Sequence, residues 1–301
     1  MHVAAKRPVF PHLFVIVHNR SVITRRSLLL AQLPAAELPD IRSVPADLET
    51  PAMTAGTPAP GRRVRHQLKE FEGTGLYHAL YLPPDWTPGR RYPLTVEYAG
   101  NGNYRNQYGD VSLGVPEGSN LGYGLSGGEG MIWVCLPYVN SRERKVQITW
   151  WGDVPATLDY CRRAVRMLCG RFGADRRRIL LCGFSRGAIA CNYLGLHDDR
   201  IAGLWRAFFC YSHYDGVRQW PFPGGDDRRA ALERLRRLRG RPQFICHERS
   251  AEETRRYLEA SGIKGDFSIH DLPFRNHNDA WVLRNIPLRR ALREWVRRVL
   301  T

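Results

Sequence analysis

The stretch 178–187, which reads RILLCGFSRG, constrains the fold of this chain more than any other segment. Residues 179–182 form an apolar run typical of a short strand that is buried on both faces. The run leads into a G-x-S-x-G box with Ser185 at its centre, and small and apolar residues at helical positions follow. The sequence therefore predicts a strand, a sharp turn and a helix, with two glycines that let strand and helix approach closely.

Apolar strands and amphipathic helices alternate along the chain from Gly61 onward. Strands are predicted at 67–73, 76–82, 92–99, 131–139, 179–182, 205–211, 242–247 and 266–272, and helices at 153–172, 188–194, 230–239, 250–260 and 288–299. The first two strands form an antiparallel pair, and the 250–260 helix opens with a capping box at Ser250 and Glu253. This order predicts an α/β domain with a mostly parallel, doubly wound sheet.

With its serine turn after the fifth strand and a histidine after the last, the chain from Gly61 to the C-terminus resembles the α/β-hydrolase superfamily. The resemblance implies an α/β-hydrolase fold, with a mostly parallel, twisted sheet of about eight strands flanked by helices. The pair Ser185-Arg186 is similar to the G-C-S-R-x-G nucleophile motif of glucuronoyl esterases. Here Phe184 replaces the cysteine and the glycine comes one residue sooner, so the resemblance implies the chemistry of that family without fixing the substrate.

A serine nucleophile requires a base, because a free hydroxyl is a poor nucleophile at neutral pH. His277 lies just after the last predicted strand, in the sequence FRNHNDA, and is the best placed of the ten histidines. His213 and His247 are its rivals, since each lies at a strand end. We expect Ser185 and His277 to meet at the carboxyl edge of the sheet.

The third catalytic group is a carboxylate that orients the imidazole. Glu248 follows the strand 242–247, where the superfamily usually supplies its acid, although an aspartate is commoner there. Asp215, in the sequence SHYDG after the preceding strand, is the alternative. The sequence leaves both candidates open.

Donors for an oxyanion are expected from two places. One is the backbone N–H of Arg186, the residue after the nucleophile, and the other is the glycine-rich loop that contains Asn101 and Gly102. The Arg186 side chain either adds a charged donor or lies exposed at the start of its helix.

The segment between Asn101 and Gly130 is rich in Gly, Asn and Tyr and has no clear period, which is typical of a functional loop. Aromatic side chains that are candidates for substrate binding leave the same edge of the sheet: Tyr104, Trp150, Trp151 and Trp220. Such aromatics suit a cleft for a sugar, an aryl ester or a polymer chain.

These residues predict a serine hydrolase that cleaves a carboxylic ester through an acyl-enzyme, with no metal and no organic cofactor. A peptidase of the prolyl-oligopeptidase type is the near alternative, although no propeller-sized region precedes the domain. A non-catalytic binding module with an arginine-rich surface is the alternative from another class. The ester substrate and the oligomeric state are not predicted.

The net charge of +16 does not by itself indicate a nucleic-acid partner. Only four of the 45 basic residues are lysines, and many arginines occur as pairs on solvated helix faces without a recognisable binding motif. The apolar run 9–17 is too short for a membrane span. We therefore expect no specific nucleic-acid partner and no membrane span.

Residues 1–60 are predicted to form a proline-rich extension, disordered or targeting, ahead of a catalytic domain at 61–301. Thr24-Arg25-Arg26 and the following leucines faintly resemble a twin-arginine export signal. The seven cysteines contain no C-x-x-C motif and lie mostly in apolar runs, which favours a reducing compartment. A cytoplasmic location is slightly favoured over export.

Overall fold

The computed structural model describes residues 38–220 and 227–301. The candidate export signal lies outside these residues. In the part of the chain that is described, no helix combines the length and the hydropathy needed to cross a bilayer.

The described residues form a central sheet of eight strands that is parallel except at one end. Its strands, numbered with those of two small hairpins, are β1 (Arg63–His66), β2 (His78–Tyr81), β3 (Tyr92–Tyr98), β6 (Ile132–Leu136), β9 (Ala174–Phe184), β10 (Ala207–Tyr211), β11 (Gln243–Glu248) and β12 (Phe267–Leu272). The hairpins are β4 (Tyr104–Arg105) with β5 (Val111–Ser112), and β7 (Val139–Asn140) with β8 (Lys145–Val146).

The spatial order of the large sheet is β1-β2-β6-β3-β9-β10-β11-β12. Strand β2 pairs antiparallel with both β1 and β6, and the strands from β6 to β12 are parallel neighbours. Strand β9 lies near the middle of the sheet. In sheets of this type ligands bind beyond the carboxyl ends of the parallel strands, and Ser185 directly follows the carboxyl end of β9. The mostly parallel sheet that the sequence predicts is confirmed.

Two hydrophobic cores cover the two faces of the sheet. Along β9, Ile179 and Leu181 contribute to one core, and Leu180 and Cys182 contribute to the other. Successive side chains of a strand point to opposite faces, so a strand that is covered on both sides must be apolar throughout. This is the physical reason for the continuous apolar run at 179–182.

Helices flank the sheet on both faces. They are α1 (Leu121–Ser126), α2 (Val154–Arg171), α3 (Arg186–Tyr193), α4 (Asp199–Ala202), α5 (Arg228–Arg236), α6 (Glu252–Ser261) and α7 (Pro287–Leu300). Helix α2 begins as predicted, because the Asp153 carboxylate accepts a hydrogen bond from the Ala156 N–H at 2.9 Å. Helix α7 buries the apolar face that its spacing predicts.

Two local predictions are wrong. The first strand lies at 63–66 and not at 67–73, where Lys69–Phe71 form a 3₁₀ turn tied by the Gln67 side chain to three backbone carbonyls. The predicted capping box is absent: α6 begins after Ala251, and the Ser250 hydroxyl accepts only from the Glu252 N–H. At the first of these places, side-chain hydrogen bonds to the local backbone replace the predicted strand.

The described part of the N-terminal extension packs along the domain. Leu38 and Ile41 are buried, and the Ile41 N–H donates to the Asn276 side chain at 2.7 Å. Asp47 forms an ion pair with Arg289 of α7. Residues 38–47 therefore contact the elements that follow the last strand.

Candidate functional site

Ser185 occupies a strained turn between β9 and α3. Its backbone has φ 55° and ψ −115°, a conformation that a residue with a side chain adopts only where the surroundings impose it. A Cβ atom on Gly183 would lie 2.2 Å from the Gly187 carbonyl carbon, and one on Gly187 would lie 1.9 Å from the Tyr98 carbonyl oxygen. The two glycines of the box are therefore required by the close approach of α3 to β9 and β3.

The structure brings Ser185, His277 and Glu248 into one hydrogen-bonded line. The Ser185 Oγ lies 3.1 Å from His277 Nε2, and His277 Nδ1 lies 2.6 Å from Glu248 Oε1. His277 lies in the loop between β12 and α7, and Glu248 is the last residue of β11. The three side chains thus come from the carboxyl ends of three parallel strands, which meet at one edge of the sheet.

Glu248 is buried, with 7% of its surface exposed, yet it is held in the charged form. Burial alone would raise its pKa, but the imidazoles of His247 and His277 and the hydrogen bond from His277 together hold the pKa well below its usual range. An ionised carboxylate at Nδ1 fixes the imidazole tautomer whose Nε2 accepts the serine proton.

Ser212 is a member of this network that the sequence did not indicate. Its hydroxyl donates to Glu248 Oε1 at 3.0 Å and lies 3.1 Å from His277 Nδ1. The residue follows β10 directly, is fully buried, and has a left-handed backbone with φ 87°. No local signal marks it, because its contacts join residues 36 and 65 positions away.

Asp215, the alternative acid, does not lie at the site. Both of its carboxylate oxygens accept hydrogen bonds from the Arg234 guanidinium of α5, at 2.8 and 3.1 Å. The pair is buried, so the charge of Asp215 is already neutralised and held away from His277. Of the two candidate acids, Glu248 is the one that contacts His277 in the described part of the chain.

The loop that carries His277 is held by Asp110, a second residue that the sequence did not indicate. One oxygen of Asp110 accepts from the His277 N–H at 2.8 Å, and the other accepts from the Asn276 and Asn278 amides at 3.0 and 2.6 Å. Asp110 lies in the β4–β5 hairpin and is almost fully buried. The aperiodic segment 101–130 thus supplies a clamp for the histidine loop.

The expected oxyanion donors are only partly available. Arg186 is the first residue of α3 and directly follows Ser185, so its N–H has no acceptor within the helix. The Gly102 N–H donates to the Ile148 carbonyl at 2.7 Å, which excludes Gly102 as a free donor. Asn101 lines the cavity with Ser185, and its N–H has no partner among residues 38–220 and 227–301. The second donor is therefore expected from Asn101.

The Arg186 side chain is neither an exposed group nor a donor to the cavity. It is buried and donates to the carbonyls of Trp150, Gly100 and Gly114 at 2.6, 2.9 and 3.2 Å. Its guanidinium also lies 3.8 Å from the Tyr138 ring centroid. Burial lowers its pKa to about 10. Arg186 therefore ties together the loops around the serine.

A cavity of about 680 Å³ opens beside Ser185. Three of the four predicted aromatic residues line it, namely Tyr104, Trp150 and Trp220. Trp151 does not: it is 4% exposed and stacks on Tyr193 at a centroid distance of 4.5 Å, as part of the core. The rival histidines His213 and His247 also line the cavity. Aromatic rings and imidazoles thus surround the candidate nucleophile.

Neither the protein-family models nor the curated proteins compared with the sequence gave a match. Solved structures do match. An acetyl ester-xyloside bifunctional hydrolase from Caldicellulosiruptor lactoaceticus is 14% identical with a TM-score of 0.53, and the match covers 81% of this chain and 98% of that one. A thermostable esterase is also 14% identical, with a TM-score of 0.50 over 78% of this chain.

A putative dipeptidyl aminopeptidase IV from Bacteroides ovatus is 17% identical, with a TM-score of 0.52 over 76% of this chain. The chain spans 62% of the length of the thermostable esterase and 34% of the length of the aminopeptidase. At such identities the likeness establishes the fold alone. Together with the strand order and the serine turn after the fifth strand, it shows that this chain has the α/β-hydrolase fold.

Proposed function

We propose that this chain is a serine hydrolase that cleaves carboxylic esters through an acyl-enzyme formed on Ser185. The observation that carries the proposal is the hydrogen-bonded line from the Ser185 hydroxyl through His277 to Glu248, at 3.1 and 2.6 Å, on the wall of a cavity. A nucleophile, a base and an orienting acid in this geometry are the parts that acyl transfer requires.

In the acylation step the Ser185 oxygen attacks the ester carbonyl carbon while His277 Nε2 takes the hydroxyl proton. The ionised Glu248 stabilises the imidazolium that forms. The negative oxygen of the tetrahedral intermediate accepts hydrogen bonds from the N–H groups of Arg186 and Asn101 in this proposal, because donors that are already in place stabilise such an oxyanion.

The intermediate then collapses as the bond to the alcohol breaks, and His277 returns its proton to the departing oxygen. In deacylation a water molecule gives a proton to His277 and attacks the acyl carbon. The carboxylic acid leaves, and the proton returns to Ser185. Asp110 keeps His277 within reach throughout, since it holds the loop on both sides of that residue.

The nucleophile is tested with a fluorophosphonate probe, which labels only an activated serine. We expect the wild type to be labelled and Ser185→Ala to remain unlabelled with an unchanged circular dichroism spectrum. The control is Ser250→Ala, which removes another hydroxyl from the same cavity and should be labelled like the wild type. Labelling of the Ser185 variant, or none of the wild type, contradicts the proposal.

The ester preference is tested with a matched pair, 4-nitrophenyl acetate and 4-nitroacetanilide. We expect the ester to be hydrolysed much faster than the anilide, because the amide is less electrophilic and its amine is the poorer leaving group. Labelling by the probe combined with faster cleavage of the anilide would replace the esterase by a peptidase.

A further inference from the structure

The ring of His213 borders the cavity beside the catalytic line without belonging to that line. The residue follows Ser212 just beyond the end of β10, and it lines the same cavity as Ser185. Its ring centroid lies 5.4 Å from that of His277 and 4.8 Å from that of Trp220. A substrate bound at Ser185 would therefore extend past this imidazole.

The nitrogens of His213 are unused, unlike those of its neighbours. Both nitrogens of His277 are engaged, and His247 Nδ1 lies 2.7 Å from the Glu248 carbonyl oxygen. Among residues 38–220 and 227–301, neither nitrogen of His213 has a hydrogen-bond partner, and neither is sealed in the core. The protein thus leaves a polar group that faces the cavity for another molecule to satisfy.

The charge state of His213 determines which ligand group it can bind. Burial, followed by the nearby charge of His277, lowers the pKa of His213 to about 3, so the imidazole is neutral at physiological pH. A neutral imidazole presents one N–H donor and one acceptor nitrogen. A hydroxyl group matches either nitrogen, because it both donates and accepts.

Two tryptophan rings that line the cavity, Trp220 and Trp150, form an aromatic wall next to His213. Trp220 lies beside His213, and the Trp150 ring follows at a centroid distance of 6.0 Å from Trp220. Such a wall packs against a flat apolar face, and the His213 ring lies at a centroid distance of 5.4 Å from that of His277. The combination suits a ring or chain that carries hydroxyl groups along its edge.

We infer that His213 is a specificity residue that hydrogen-bonds a substrate hydroxyl, so that the enzyme prefers esters whose acyl or alcohol part bears one. This inference rests on the proposed ester hydrolysis. A substrate without the hydroxyl leaves the imidazole without a partner after water has been displaced. That loss lowers kcat/KM by about tenfold or more relative to the hydroxylated ester.

Two matched pairs of esters test the inference and distinguish the two sides of the substrate. In the first pair, acetylated xylopyranose has hydroxyl groups on its alcohol part and tetrahydropyranyl acetate has none. In the second pair, 4-nitrophenyl 3-hydroxybutyrate has a hydroxyl group on its acyl part and 4-nitrophenyl butyrate has none. We expect the wild type to prefer the hydroxylated member of at least one pair by tenfold or more in kcat/KM. His213→Phe keeps a ring against Trp220 but removes both nitrogens, and it should bring that ratio to within about threefold of one.

Two further variants keep the result interpretable. His213→Gln restores a donor and an acceptor and should recover part of the ratio, whereas His247→Phe alters the adjacent ring and should change both members of a pair equally. A wild-type ratio near one in both pairs, or an equal loss on both members in His213→Phe, overturns the inference. Fluorophosphonate labelling of each variant reports separately on the proposed function, since it requires Ser185 and no hydroxyl group.

Discussion

Two buried carboxylates follow neighbouring strands of the same sheet, and their surroundings give them opposite roles. Asp215, after β10, is 1% exposed and binds the Arg234 guanidinium with both oxygens. Glu248, at the end of β11, is 7% exposed and faces the imidazoles of His277 and His247. The two residues are similar in burial and in their position in the fold. They differ in the group that each one contacts.

The difference lies in whether the partner can exchange a proton. A guanidinium stays protonated under all ordinary conditions, so the Asp215–Arg234 pair is a fixed contact between α5 and the loop that follows β10. An imidazole gains and loses a proton near neutral pH, so a carboxylate beside it can stabilise a charge that appears only during the reaction. We therefore propose that Asp215 contributes to stability and Glu248 to turnover.

The largest expected effect is the loss of turnover in Glu248→Gln. The substitution keeps the shape but lets the side chain donate towards His277 Nδ1, which favours the wrong imidazole tautomer. We expect kcat to fall about 10³-fold or more with 4-nitrophenyl acetate as substrate. A loss below tenfold would place the orienting acid elsewhere and remove the distinction drawn from the two carboxylates.

The second effect concerns stability. Asp215→Ala leaves the Arg234 charge buried without its partner, and we expect the free energy of unfolding to fall by about 3–5 kcal/mol in urea denaturation. The kcat per labelled active site should stay within about threefold of the wild type. The double variant Asp215→Leu with Arg234→Met removes both charges and should recover most of the lost stability. A thousandfold loss of kcat with unchanged stability would reverse the assignment.

The large features of this fold could be predicted because local sequence encodes them. A strand covered on both sides must be apolar throughout, as at 179–182, and the close approach of α3 to β9 admits only glycine at positions 183 and 187. His277 was proposed as the base from its place after the last strand. These constraints involve residues that are near one another in the chain or that are fixed by strand order.

The remaining parts of the site depend on contacts between distant segments, which no local pattern reports. Asp110 contacts the histidine loop across 166–168 residues, and the Arg186 side chain is buried against carbonyls that lie 36 to 86 positions away. Preferring Glu248 to Asp215 required knowing that Arg234 of α5 binds Asp215. Sequence reasoning therefore proposed the serine and the histidine that the structure brings together, but not the residues that hold them.

A smaller effect appears in the dependence of stability on pH. The histidines hold the pKa of Glu248 below its usual range in the folded protein, whereas in the unfolded chain that pKa is ordinary. The unfolded state therefore binds a proton first, and this contribution to stability is present above about pH 5 and is lost as the pH falls. Between pH 5 and pH 3 the wild type should lose roughly 1–2 kcal/mol more than Glu248→Gln in chemical denaturation. Parallel curves would show that Glu248 is not ionised in the folded state.

The smallest expected effect concerns Ser212, whose hydroxyl contacts both Glu248 and His277. Ser212→Ala removes the hydroxyl 3.0 Å from Glu248 Oε1 but keeps the Cβ atom, so the backbone strain at φ 87° is unchanged. We expect kcat to fall about five- to tenfold with KM nearly constant, because Ser212 is fully buried and does not line the cavity. Without this donor the carboxylate attracts the imidazole proton more strongly. The acid limb of the pH profile of kcat/KM should therefore move to higher pH. Ser212→Cys keeps a weak donor and should show a smaller shift. A residue that only fills space would leave that limb in place, so the direction of the shift decides whether Ser212 tunes Glu248 or merely packs beside it.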